Sequence, residues 1–108
     1  PVWRASRIAQ DPEAVAAAAL AHLTGRGGGE LDGVWVHLDV DVLDAAVMPA
    51  VDSPEPDGIG HEELRTLLRA LLADPKCVGM DVGIFDPDLD PDGRYAAELT
   101  DTLVAALT

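Results

Sequence analysis

The chain is 108 residues long, room for one domain, and 48% of it is hydrophobic, enough to build a core and to argue against general disorder. Seven basic against twenty acidic residues leave a net charge of −13, which argues against nucleic-acid backbones and anionic membrane surfaces as partners. Cys77 is the single cysteine, so neither a disulfide framework nor a cysteine-rich zinc site forms within the chain.

In chain order, Pro1 to Ile8 is ambiguous, with a short strand as one reading. The start, Pro1-Val2-Trp3-Arg4, lacks the positive-then-apolar order of a signal peptide. No stretch reaches the ~20 apolar residues of a membrane span. Together these lead to the expectation of a cytoplasmic setting. Asp11-Pro12-Glu13 then marks a helix start: Asp as cap, Pro at the first helical position, Glu at the positive end of the dipole. The helix continues through Ala14 to Leu23, with Val15, Ala19, Leu20 and Leu23 as its expected buried stripe. Gly25 to Gly29 reads as a turn and not a phosphate loop, since it lacks the Gly-Lys-Ser/Thr ending and precedes a strand.

The next segment alternates. Val34, Val36, Leu38 and Val40 form one face of a predicted strand, and Trp35, His37, Asp39 and Asp41 the other. Ala45 to Gly60 is a loop with Pro49, Pro54, Pro56 and Gly58. Loops beyond about 12–15 residues in a compact domain tend to be functional. A helix follows from His61 to about Ala73, burying Leu64, Leu67, Leu68, Leu71 and Leu72. Cys77 to Phe85 is a second strand, and a last helix runs from Gly93 to Leu107. Strand, loop, helix and strand in this order predict a right-handed crossover in a parallel sheet of about three strands. The fold class is α/β: three-layer α/β/α with a parallel sheet, as a partial domain.

Asp39 and Asp41 are the most informative pair. On a strand, side chains two apart point the same way, roughly 6.5 Å apart at the backbone. Two carboxylates held together repel, and a divalent cation resolves the conflict; hard oxygen donors suit manganese or magnesium. The competing reading is an Asp-x-Asp that only caps and solvates a strand end. Parallel topology favours the cation, because both strands then end on one edge, where open α/β sheets place their ligands. Asp39, Asp41, the long loop and Asp86 all belong to that edge.

The segment Leu38-Asp39-Val40-Asp41-Val42-Leu43-Asp44, followed by Pro49 and by Ser53-Pro54-Glu55-Pro56-Asp57-Gly58-Ile59, resembles the C-terminal signature of the ureohydrolases, the family of arginase, agmatinase and formimidoylglutamase. The likeness continues at Gly79-Met80-Asp81-Val82 and Asp86-Pro87, and spans roughly Val34 to Leu107. It implies that residues 1–108 are the C-terminal portion of a ureohydrolase-like domain. Asp39 would bridge two manganese ions and Asp41 would bind one of them. In that chemistry the cations acidify a shared water. The trigonal carbon of a guanidinium or amidine is attacked, giving urea or an amide plus an amine. The implied partners are a small guanidino or amidino substrate and further copies of the full-length protein, since relatives form trimers or hexamers.

The family's remaining ligands lie in Gly-Gly-Asp-His and Asp-Ala-His-x-Asp segments, and neither occurs here; His22, His37 and His61 stand in other contexts. The isolated chain is therefore expected to bind metal weakly and to hydrolyse nothing alone, and no catalytic residue is assigned. Ile84 stands where the family has the Glu that holds the guanidinium, so arginine is doubtful as substrate. Asp86 either takes over that role or caps a loop. His37, in place of the family's Ser, is a packed or supporting histidine or, less simply, a ligand. Ala45 replaces a Pro and Asp57 a Gly. Two rivals remain: a degenerate, non-catalytic subunit, and a calcium loop at Asp88-Leu89-Asp90-Pro91-Asp92-Gly93, whose alternative is an acidic turn opening the last helix.

Overall fold

The computed structural model describes residues 1–25 and 31–108. Its first element resolves the ambiguity over Pro1 to Ile8 against a strand. Residues 1–4 are irregular and α1 (Ala5–Gln10) is a short helix. Ala5, Arg7, Ala9 and Gln10 are good helix formers, and no β-branched run opposes them. Asp11 then accepts the Ala14 N–H on Oδ1 at 3.0 Å, and Pro12 opens α2 (Pro12–Gly25), as the cap-and-proline order requires. The buried residues of α2 are Val15 and Ala16, while Leu23 is exposed. α2 packs against the helix that follows the long loop. Beyond Gly25, the glycine turn lies outside the described residues.

β1 (Val34–Asp39) pairs in parallel with β2 (Cys77–Gly83), in the register His37 to Asp81 and Asp39 to Gly83. Between them runs α3 (His61–Leu72), and α4 (Arg94–Leu107) follows β2. Among the described residues the sheet has two strands, not three. Both strands end earlier than alternation alone predicts. Val40 to Val42 close a 3-10 turn, with the Leu43 N–H donating to Val40 O at 3.2 Å. Asp41 therefore sits on a turn, and the two-residue strand spacing ends at Asp39. At the end of β2, Ile84 turns to φ 76°, which breaks the extended run.

Helix α3 packs against α2 and α4 and covers the apolar face of β1. Leu38, Val40, Leu64 and Leu68 are buried there; Leu67, Leu71 and Leu72 are half-buried. The 45–60 segment is not a free loop. Met48, Ala50, Val51 and Ile59 all lie in the core. Leu43 bridges to Ile59, and Val51 to Phe85, so the segment is tied to the ends of both strands. A loop can be this buried only when its backbone groups are paired, and here Asp44 N–H donates to Ile59 O and Ala45 N–H to Glu55 O.

Candidate functional site

The polar face of the sheet carries the candidate site. Alternation along β1 places Trp35, His37 and Asp39 on it, and the register sets Gly79, Asp81 and Gly83 of β2 opposite them. His37 Nε2 donates to Asp39 Oδ1 at 2.9 Å, and His37 Nδ1 to Asp81 Oδ2 at 2.6 Å. Trp35 Nε1 donates to the other Asp81 oxygen at 2.6 Å. With both ring nitrogens on carboxylates, the imidazole donates twice only when protonated. The hydrogen bond and charge of Asp81, then the charge of Asp39, accordingly raise the His37 pKa above 6.5. The Trp35 hydrogen bond, followed by that of His37, holds Asp81 below 3.8.

In this chain the His37 side chain is 61% exposed, with each ring nitrogen on a carboxylate. Asp39 stands at the end of β1, 48% exposed, and makes no side-chain cap to the following turn, so of the structural alternative solvation survives and capping does not. Asp41, two residues on, is half-buried in the turn. Their oxygens suit a hard divalent cation such as manganese. Among the described residues no group of three or more His, Cys, Asp or Glu side chains is arranged to hold a metal ion, so these two carboxylates are at most part of a ligand set.

Other acidic residues resolve into structural roles. Asp44 accepts the Ala46 N–H at 2.9 Å and the Gly58 N–H at 3.2 Å, which fixes the long loop. Asp86 accepts the Asp88 N–H at 2.9 Å, capping a 3-10 turn over Pro87–Leu89. Asp90, 6% exposed, accepts from Tyr95 and Ala96 N–H at 3.0 and 2.8 Å, which ties up one hydrogen bond on each oxygen. The Asp88–Gly93 segment is the acidic turn that opens α4. Ile84 is 45% exposed in the left-handed region, where a β-branched residue is an outlier.

Sequence reasoning put His37 and Asp39 on one face but gave Trp35 and Asp81 no role. The signal was present as two alternating triplets, Trp35-x-His37-x-Asp39 and Gly79-x-Asp81-x-Gly83. Only the register shows that they lie side by side.

Comparison with known proteins is consistent across sequence and structure. An arginase-family model matches residues 2–108. N(1)-aminopropylagmatine ureohydrolase of Thermus thermophilus is 37% identical over 67 residues, covering 62% of this chain and 22% of the relative. Helicobacter pylori arginase superposes with a TM-score of 0.82 at 17% identity, over 98% of this chain and 35% of that one. A Trypanosoma cruzi formiminoglutamase, solved with Mn2+, gives a TM-score of 0.59 at 23% identity, over 82% and 32%. The chain spans about a fifth to a third of the length of these relatives. No helix among the described residues is long and apolar enough to cross a membrane. With its parallel α/β sheet and a family match over nearly its whole length, the chain belongs to the arginase family.

Proposed function

We propose that residues 1–108 are the C-terminal portion of a manganese-dependent ureohydrolase that cleaves a guanidino or amidino C–N bond, giving urea or an amide and an amine. The observation that carries this reading is the position of Asp39, at the aligned ends of two parallel strands, with Asp41 in the next turn. Asp39 would bridge two manganese ions and Asp41 would bind one. When bound, the ions supply a water acidified to near neutrality. The chain's own part is to hold two anionic donors at the sheet edge where an open α/β fold places its ligands. The manganese in the trypanosomal relative supports the choice of ion.

Ile84 offers no charge to a guanidinium, and Asp86 spends an oxygen on its own turn. Substrate recognition at this end of β2 then rests either on the other Asp86 oxygen or on groups elsewhere in the complete protein. The complete protein works as a homo-oligomer on a small molecule in the cytoplasm, a setting that a free Cys77 suits, without nucleic acid or membrane as partner. The isolated chain, with a partial ligand set, does not turn over substrate.

The test is an assay of the complete natural protein with manganese against arginine, agmatine and formimidoylglutamate. Turnover of at least one, abolished in Asp39→Asn, is expected. No turnover of any amidine would favour the second reading, a degenerate subunit that keeps the sheet without the chemistry, which Ile84 supports.

A further inference from the structure

Two bland explanations compete for the Trp35–Asp81–His37–Asp39 chain of hydrogen bonds. One is that it stabilises the fold. Exposed ion pairs contribute little to stability, however, and His37, Asp39 and Asp81 are all about half exposed or more. The other is that it is a chance surface contact of long side chains. The backbone of β2 argues against chance.

Gly79 lies opposite Trp35, and a Cβ there would come within 2.4 Å of the indole Cζ3. Only glycine lets the ring lie across β2 and bring its N–H to Asp81. Gly83 lies opposite Asp39, whose Oδ1 would be 3.7 Å from a Cβ at that position. Asp81 is thus flanked on its own face by two residues without side chains. One leaves room for the group that orients Asp81; the other leaves the space beside Asp39 open.

The chain has a direction. Trp35 fixes one Asp81 oxygen, so the other is aimed at His37 Nδ1; the imidazole is then held with Nε2 on Asp39 Oδ1. A carboxylate oxygen has two lone pairs, so Oδ1 accepts from Nε2 and keeps one for a cation. Partners behind a ligand orient it and tune its basicity.

We propose that Trp35, Asp81 and His37 are positioning residues that fix the carboxylate of Asp39 for a divalent cation, with Gly79 as the gap that lets Trp35 reach. This rests on Asp39 being a cation ligand. Both ring nitrogens of His37 are spent on carboxylates, so the tether orients the Asp39 carboxylate and does not itself bind metal.

The experiment is a Mn2+ titration of the complete natural protein, followed by the EPR signal of free Mn2+, for the parent, Asp39→Asn, Asp81→Asn, Trp35→Phe and Gly79→Ala. The 15N shifts of the His37 ring are recorded in parallel without metal. Asp81→Asn is expected to weaken Mn2+ binding by about tenfold or more, with the Nδ1 shift moving away from that of the parent. Trp35→Phe and Gly79→Ala should move both readouts in the same direction by less. Circular dichroism identifies any variant that fails to fold, and the milder Trp35→Phe then decides. Affinity unchanged in folded Asp81→Asn and Trp35→Phe, while Asp39→Asn loses it, would overturn the positioning role alone. Affinity retained in Asp39→Asn would instead remove the cation site, and the positioning role with it.

Discussion

Gly58 lies against Asp44 so closely that a Cβ on the glycine would sit 2.5 Å from the Asp44 amide nitrogen and 2.7 Å from Val42 O. The Gly58 N–H meanwhile donates to Asp44 Oδ1 at 3.2 Å, and Ile59 N–H donates to Val42 O at 3.1 Å. The segment after β1 and the end of the long loop are thus laced together. This contact ties an acidic residue to a glycine fourteen positions further on. Gly58→Ala is expected to cost about 1–3 kcal/mol, since the atoms in the way are backbone and cannot swing aside. Denaturant unfolding checks it; an unchanged midpoint would contradict the packing.

The cap on α4 gives a second expectation. Asp90 is buried and satisfies two first-turn N–H groups. Asp90→Ala leaves both without that acceptor and should lower stability by about 1–3 kcal/mol. Asp90→Asn keeps one oxygen and should lose less. Calcium should leave the unfolding midpoint of the parent unchanged, whereas a calcium-dependent rise would revive the calcium-loop reading.

Proton binding at the sheet face has a definite sign. Asp81 is held below 3.8 in the fold, first by the Trp35 indole. Its stabilising contribution is therefore present above 3.8 and is lost as pH falls through the lower folded value. His37, raised above 6.5, contributes fully below 6.5 and loses that contribution as pH rises through its folded value. In metal-free protein, Trp35→Phe is expected to move the Asp81 titration back up toward 3.8, read by carboxyl 13C shifts. An Asp81 titration that stays where it was would contradict the assigned cause.

Met48 tests whether the long loop is core or cover. It is fully buried among residues of the main cluster. Met48→Ala should cost about 2–5 kcal/mol, the range for emptying a core site. A loss below 0.5 kcal/mol, typical of surface changes, would mean that the segment lifts off in solution.

Much of this was legible from residue order. The Asp11-Pro12 cap, the Leu64 and Leu68 stripe and the Val36-Leu38-Val40 face follow from local periodicity, and all appear where expected. The strand ends were not legible, because Asp41 continues the alternation that the Val40–Val42 turn interrupts. Nor was the burial of Met48 and Val51, since proline-rich segments carry no period to betray an inward face. Asp39 could be singled out by its neighbours in sequence. The company it keeps, His37 with Asp81 and Trp35, depends on a strand register that pairs residues more than forty positions apart.

The most direct test is anomalous scattering at the manganese edge from crystals of the complete natural protein grown with Mn2+. Peaks within coordination distance of the Asp39 and Asp41 carboxylates are expected, with both Asp39 oxygens engaged. A map with no peak beside either side chain would contradict the account at its root.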